Sequence, residues 1–498
     1  LPPVAAGMTL RVLNTLSGER EPFDPVEPGR VRMYVCGLTV SDAPHLGHAR
    51  LWVQADLLHR WLEYRGYSVE HVENITDVNE KIVARIGEPS LGADEPAVAG
   101  RFTASVFSAM RALRLRRANV YPRVSQHRPQ IIALIEELLT AGAAYEVDGS
   151  VYFDVTRFER YGALSGTDRE AATVDQASDT LDEKRHPADF ALWKADGVDP
   201  ESIADRRDAA LGPVDDDAVT VWDAPWGPGR PGWHIECSAM AMHHLGETLD
   251  IHMGGRDLRF PHHENEIAQS EAATGAPFAR YWVHVGLLQR ASEKMSSSLG
   301  NFETVAAAVE AHGVGPLRMF FLGATYRTDQ QYSAAAMAEA TAKFSRLRHA
   351  YTRLTDACDG LDAYADLEHP ELEGLTDEML TAVGDAMDDD LNVRAALAAY
   401  MEFAAGVSGY LDDRQRYDHA GLVGAREAML RIGTTVFGLP LEDDGGDSAL
   451  IERLVDLRED YRAAGQYDAA DVLREALAAA GVELEDTDDG TIIHHTPH

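Results

Sequence analysis

The stretch VRMYVCGLTVSDAPHLGHAR, residues 31–50, sets the fold class. Val31, Met33 and Val35 recur at every second position, the period of a pleated strand. The run breaks at Cys36-Gly37, passes through His45-Leu46-Gly47-His48, and enters a segment with a different period. Leu51, Ala55, Leu58 and Leu62 recur every three or four positions, which predicts an amphipathic helix, and Gly66 supplies its stop. Ser68 to Ile75 reads as a second strand. The unit is βαβ, with two histidines at the strand-to-helix turn, where backbone N–H groups and the helix dipole favour a bound phosphate.

Three further stretches belong with this one: RPGWHIECSAM at 230–240, IHMGGRDLRFPHHENEIA at 251–268, and KMSSS at 294–298. Alone, HLGH fits two ordinary histidines at a helix start as well as it fits a nucleotide site. In this company it resembles the cysteinyl-tRNA synthetase family of class I aminoacyl-tRNA synthetases, and the resemblance runs from Leu10 to Ile493. It implies an α/β fold: a Rossmann-like, doubly wound parallel sheet with an inserted connective-peptide domain, then an all-α bundle and a small anticodon-binding domain. The implied boundaries are 8–120 and 226–302 for the two catalytic halves, 121–225 for the insertion, 303–441 for the bundle and 447–498 for the tail.

Bulk properties agree. At 498 residues the chain exceeds one core, and about three or four domains are expected. No run of 18 apolar residues predicts a membrane span. LPPVAAG reads as a disordered extension before a start at Met8, without a secretory leader. Three cysteines (Cys36, Cys237, Cys358) suit a reducing, cytoplasmic setting better than a disulfide framework. The net charge is −37, and only Lys81, Lys184, Lys194, Lys294 and Lys343 are lysines. Either the acidity serves to avoid nucleic acid, or the protein works at molar salt. The acid excess is spread over all domains, which favours the second: there the Debye length falls to about 3 Å and self-repulsion is screened. Loss of structure or activity at low salt is therefore expected, and a flat profile from dilute buffer to molar KCl would exclude it.

Along the chain, Ile131–Leu139 reads as a helix and Tyr145–Val155 as a hairpin turning at Asp148-Gly149. The acidic stretches 170–182 and 199–217 read as surface loops. The basic run RALRLRR at 111–117 reads as a solvated helix face rather than an RNA contact. The sheet is expected to resume near Trp233, with strands at Thr248–Met253 and Tyr281–Leu287. Between them, Pro261 should start a helix that ends near Gly275. Helical periods fill 303–440; the tail suggests two helices and a small hairpin.

His262 and Glu266, four apart on that helix, share a face. Cys237 and Cys36 can join them at the sheet's carboxyl edge. Spacing alone allows either a metal site or buried small cysteines. The resemblance assigns Cys36, Cys237, His262 and Glu266 as ligands of one Zn²⁺; the adjacent His263 is the ambiguity. Such a site has a chemical rationale. A soft thiolate is a far better zinc ligand than a hydroxyl, so cysteine is told from serine without an editing domain. Thr76 and Trp233 would line the cysteine; core packing is the other reading of Trp233.

The implied reaction joins L-cysteine to ATP, with Mg²⁺, and passes the cysteinyl group to the terminal ribose of tRNA(Cys). It needs positioning and charge stabilisation, not a protein nucleophile. His45 and His48 would donate to the phosphates, and Gly47 would allow close approach. Gly254 and Gly255 would let adenosine lie against the chain, Asp257 would accept from the ribose, and Lys294 would close on pyrophosphate. Ser297 stands where the family carries a second lysine. It reads as a neutral replacement that still meets ATP through its hydroxyl, or as a sign of impaired chemistry. In the tail, Ala470–Arg474, Leu477, Gly481 and Glu485-Asp486-Thr487 match the anticodon-binding end. The match fades at Ile492-Ile493. Arg453, Arg458 and Arg474 are the candidate phosphate contacts. A monomer is expected. Two alternatives stay open: a ligase for a small amine acceptor, which the tail disfavours, and a non-catalytic paralogue, which the intact motifs disfavour.

Overall fold

The computed structural model describes residues 9–168, 183–195, 203, 207, 211–290, 293–294, 303–359, 370–413 and 417–442. In the C-terminal part it describes 454–455, 457–458, 461–462, 467–479, 482–487 and 490–495. Ser297, the stretch 170–182 and Arg453 lie outside these residues. The chain divides into two compact units, Leu1–Gly438 and Leu439–His498.

At the centre of the first unit is a four-stranded, wholly parallel sheet in the order Ala279–Val285, Leu249–Gly255, Arg30–Val35, Ser68–Glu73. The chain winds outward from Arg30–Val35 to Ser68–Glu73. It returns to Leu249–Gly255 on the other side and winds outward again. The reversal between Arg30–Val35 and Leu249–Gly255 is a topological switch point, and ligands of such sheets bind at its carboxyl end. Cys36 follows the first of these strands; Gly254 and Gly255 close the second.

The HLGH helix runs Leu46–Tyr64, and Ser68 pairs with Arg30 in the first βαβ unit, as the periodicity predicts. The helix is less amphipathic in its setting than in its sequence. Asp56, Arg60, Gln54 and Arg50 are buried along with Leu57, Leu58 and Leu62. Bundle segments cover the face that would otherwise meet water. Asp56 accepts from Arg60 (2.7 Å) and is paired with Arg318, and Gln54 donates to the Phe321 carbonyl (2.9 Å).

The insertion holds a helix, Arg128–Thr140, and an antiparallel sheet in the order Ala144–Val147, Ser150–Phe153, Phe190–Ala195, Gly227–Pro231, Trp222–Ala224. The predicted hairpin turns at Asp148-Gly149, with Val147 opposite Ser150. The last strands reach Pro231. The segment after them is a helix, Trp233–Leu245, not the resumption of the sheet expected near Trp233; Gly232 is its N-cap. Arg230 and Glu95, both buried, form a two-pronged ion pair (2.7 Å each) that fixes the entry to this helix.

The helix expected from Pro261 begins regularly only at Glu264 and ends at Thr274. Phe260 is extended (φ −141°, ψ 134°), because a residue before proline is pushed out of the helical region. Residues Arg259–His263 form a wider turn instead. Helices Val305–His312, Val314–Leu322, Ala334–Asp359, Pro370–Asp388, Val393–Asp412 and His419–Leu430 make up the α region. The second unit has a helix, Tyr467–Ala479, and a hairpin of Val482–Thr487 with Gly490–His495. Val455, Leu477, Val482 and Leu484 form its core.

Candidate metal centre and nucleotide edge

Three elements converge at the switch point. The strand Arg30–Val35 delivers Cys36, whose N–H donates to the Met253 carbonyl (2.9 Å). Gly37 must follow it: a Cβ there would lie 1.7 Å from the Asn74 carbonyl oxygen. The helix Trp233–Leu245 delivers Cys237, one turn beyond Trp233. The turn before Glu264 delivers His262 and His263. Gln269 ties the last two elements together by donating to the His234 carbonyl (2.6 Å) and the Ser238 hydroxyl (2.7 Å).

The ligand atoms of Cys36, Cys237, His262 and Glu266 all lie within 4.8 Å of one another, and all four residues are buried. His262 Nε2 is 3.1 Å from Glu266 Oε1, and Cys36 Sγ is 3.6 Å from the same oxygen. A second set, Cys36, His252, His263 and Glu266, is equally compact. His252 Nε2 stands 2.9 Å from Glu266 Oε2, and His263 Nε2 stands 3.3 Å from Cys36 Sγ. Outer imidazoles back both: His234 lies 2.8 Å from His262 Nδ1, and His284 lies 2.8 Å from His263 Nδ1 and 2.8 Å from the Thr15 hydroxyl.

Burial holds His262, His263, His234 and His284 below the ordinary imidazole range, His284 at about 3, so these rings are neutral and carry lone pairs. Burial pushes the Cys36 thiol well up, while the hydrogen bond from Cys36 holds Cys237 down; Cys237 is the thiol that gives up its proton first. The partners of Glu266 among the described residues are imidazoles and a thiol, with no arginine or lysine. A buried carboxyl group beside two thiols and imidazoles, of which His262 and His263 are held neutral by burial, is a donor set that fits a borderline-soft dication.

Reading the sequence missed His252, His284 and Tyr34, which stands beside both cysteines. The signal was available for His252: a histidine inside an apolar strand needs a polar partner. Gly254 also has a packing role inside the sheet edge. A Cβ there would lie 2.6 Å from His263 Cε1, so the glycine makes room for an imidazole. Trp233 is half-buried and lies against His262 (ring centroids 4.2 Å apart). Thr76 is buried; its hydroxyl accepts from Asn74 (3.1 Å), and the Asn74 carboxamide oxygen accepts from Gly37 N–H (2.8 Å).

At the HLGH turn, His45 caps the helix. Its Nδ1 accepts from Gly47 N–H (3.0 Å), and His48 Nδ1 accepts from His45 N–H (3.2 Å). The rings stack 3.7 Å apart. Leu46 N–H donates to the Glu303 carbonyl (3.0 Å). The first backbone donors are thus engaged within the chain, and the anion-binding capacity expected of them passes to the side chains. Each Nδ1 accepts, so each neutral ring carries its proton on Nε2. Asp257 is exposed, two residues past Gly255. The backbone of Lys294 pairs with Gln289. In the second unit Arg474 is exposed, but Arg458 is only 2% exposed and is not available to a phosphate.

A doubly wound sheet with a capped HLGH turn and a buried donor cluster at its switch point defines a class I aminoacyl-tRNA synthetase catalytic unit. Residues 22–342 match the family of the class I (C) tRNA synthetase catalytic domain. The chain belongs to the cysteine–tRNA ligase family. It is 52% identical to the cysteine–tRNA ligase of Haloarcula marismortui, over 97% of this chain and 99% of that one. Identity to the Halobacterium salinarum enzyme is also 52%, covering 98% and 100%; to that of Geobacter sulfurreducens it is 42%, covering 97% and 99%. The first two relatives come from halophiles, in keeping with the acidic surface. Among solved structures, methionyl-tRNA synthetase of Mycobacterium tuberculosis bound by methionyl-adenylate shares the fold (TM-score 0.57, 16% identity, 83% of this chain and 90% of that one). A putative arginyl-tRNA synthetase of Campylobacter jejuni does too (TM-score 0.56, 12%, 84% and 95%). Among the described residues no helix is long and apolar enough to cross a membrane.

Proposed function

We propose that the chain is a cytoplasmic, monomeric cysteine–tRNA ligase that activates L-cysteine with ATP, releasing pyrophosphate, and transfers the cysteinyl group to tRNA(Cys). The observation that carries this reading is the buried cluster of Cys36, Cys237, His262 and Glu266 at the edge that also presents HLGH. Cys36, Cys237, His262 and Glu266 would hold zinc, which when bound supplies a soft acceptor for the substrate thiol and so selects against serine. Trp233, against His262, and Thr76, on the neighbouring strand end, would bound the cysteine. His45 and His48 would aim Nε2–H donors at the phosphates, where charge develops as the cysteine carboxylate attacks the α-phosphorus and pyrophosphate leaves. Asp257 would accept from the ribose, Lys294 would supply positive charge to the pyrophosphate, and Ser297 would contact ATP in place of the family's second lysine. Mg²⁺ would accompany the nucleotide. In the second unit Arg474 is the phosphate contact we retain.

The test is cysteine-dependent ATP–pyrophosphate exchange in molar KCl, followed by charging of tRNA by the full chain and by a chain lacking residues 449–498. Exchange with charging that is lost on truncation is expected. Exchange without charging of any tRNA would replace this reading with a small-amine ligase, and no exchange at any salt would replace it with a non-catalytic paralogue.

A further inference from the structure

We propose that His127, His243 and His244 form a second metal site, outside the cysteine-recognition centre, that takes a transition-metal dication such as Zn²⁺ through three imidazole nitrogens. Their ligand atoms lie within 4.8 Å of one another. His243 and His244 occupy the last turn of the helix Trp233–Leu245, and His127 is the residue before the helix Arg128–Thr140. The trio therefore bridges two elements that are packed together but far apart in sequence.

Three features suit a cation. His127 Nδ1 lies 2.7 Å from the Arg123 carbonyl, which must accept, so the proton is on Nδ1 and the Nε2 lone pair faces the cluster. A ring whose other nitrogen is fixed by a carbonyl is the usual arrangement behind a metal ligand. Second, His127 Nε2 and His244 Nε2 are 2.9 Å apart. Two nitrogens on one tetrahedral zinc stand about 3.3 Å apart, given bonds of about 2.0–2.1 Å; the pair need open by only about 0.4 Å. Third, two of the three rings, His243 and His244, lie at a helix C-terminus, where the backbone dipole favours positive charge and offsets the opposite dipole of the helix that His127 starts. Burial, then His127 and His243, hold His244 below the ordinary range, in the neutral form that coordinates. The nearby carboxylate, Glu70, is already paired with Arg30 (2.6 Å). His243 is exposed, so water would complete the coordination.

A bound ion would clamp the far end of the helix whose first two turns carry Trp233 and Cys237. The experiment is Co²⁺ loading of the full chain, with metal counted per chain and the visible and near-ultraviolet spectra recorded. Wild type should hold two equivalents, of which one shows thiolate charge transfer. His243→Ala/His244→Ala should hold one, keep the thiolate band, keep pyrophosphate exchange, and lose part of the metal-induced rise in Tm. His243→Ala alone, at an exposed position, should weaken the second equivalent by about tenfold or more. The proposal is overturned if wild type holds only one equivalent, or if the double variant loads as wild type does and a simple His127–His244 hydrogen bond accounts for the contact. Failure of the cysteine-activation reading is distinguishable, because it would appear as a missing thiolate band.

Discussion

The donor cluster and the HLGH turn share one sheet edge but are organised by opposite means. The cluster draws residues from positions 36, 237, 252, 262, 263, 266 and 284, and burial does the work: imidazoles, two thiols and a carboxyl group face one another, and among the described residues Glu266 has no arginine or lysine partner. The HLGH turn is local. Its two rings are fixed by hydrogen bonds to backbone N–H groups two and three residues away, and its second ring is only half-buried. The first arrangement is costly unless a cation completes it. The second is stable as it stands and presents donors at no further cost in order. Substitutions should therefore remove metal, and rate with it, in one region, and lower the rate with the metal retained in the other.

The largest effect is expected at the cluster. Cys237→Ser should lose the thiolate-bound metal equivalent and lower cysteine-dependent exchange by roughly a thousandfold, about 4 kcal/mol in the barrier. Full exchange by a metal-free Cys237→Ser protein would end the contrast, because the cluster would then be a packing device.

At the turn, cap and chemistry can be separated. Asparagine is a strong N-cap, so His45→Asn should leave the thermal midpoint near that of wild type while lowering exchange by about a hundredfold. His45→Ala should add a loss of about 1 kcal/mol in stability. Undiminished exchange by His45→Asn would make the ring a cap and nothing more, and the two regions would no longer cooperate in one reaction.

The same contrast explains what could be read in the sequence. Val31 to Arg50 gave the strand, the turn and the helix because each signal is local: a period of two, a break, then a period near 3.6. The hairpin at Asp148-Gly149 was legible for the same reason. The helix Trp233–Leu245 was not, since the polar residues of WHIECSAMAMHHL (His234, Glu236, Ser238, His243 and His244) are spread round the helix, the first three of them buried, and leave no polar side to give a period. The second donor set was only half legible: His263 stood beside His262, and His252 called for a polar partner, but the pattern did not name that partner. Nothing in spacing says that Gly254 leaves room for His263, or that His252 in its strand reaches Glu266 on the helix Glu264–Thr274. Arg458 looked like a surface cation and is buried, because burial in the second unit follows packing that its short, broken periodicity does not reveal.

A smaller change is expected at Ser297. In a chain with five lysines, its replacement of a lysine reads as neutral. Ser297→Lys should alter pyrophosphate exchange by less than about tenfold. A gain of several orders of magnitude would mean that the phosphate side of the site is compromised in the natural chain, and the rate-limiting weakness would then lie at the nucleotide edge rather than at the cluster.

The smallest effect on the reaction, though not on the fold, belongs to Glu73, a buried carboxyl that ends the strand Ser68–Glu73. Unlike Glu266 it has one neutral donor, Trp52 Nε1 of the HLGH helix (2.8 Å), and no ring of imidazoles. Burial raises it to about 8, only partly offset by that hydrogen bond. The folded state therefore keeps a proton that the unfolded chain releases near its ordinary carboxylate value. Between those two values the folded state binds more protons, so stability is greatest on the acid side and falls as pH rises through the window. The slope is at most about 1.4 kcal/mol per pH unit. Glu73→Gln keeps an acceptor for Trp52 and removes the titration. It should flatten the fall in chemical-denaturation stability between pH 5 and about 8 while leaving exchange at pH 7 within about twofold of wild type. An unchanged slope would mean that Glu73 is ionised in the fold, and that a buried carboxylate at this edge can persist without the cation that the neighbouring cluster is built to hold.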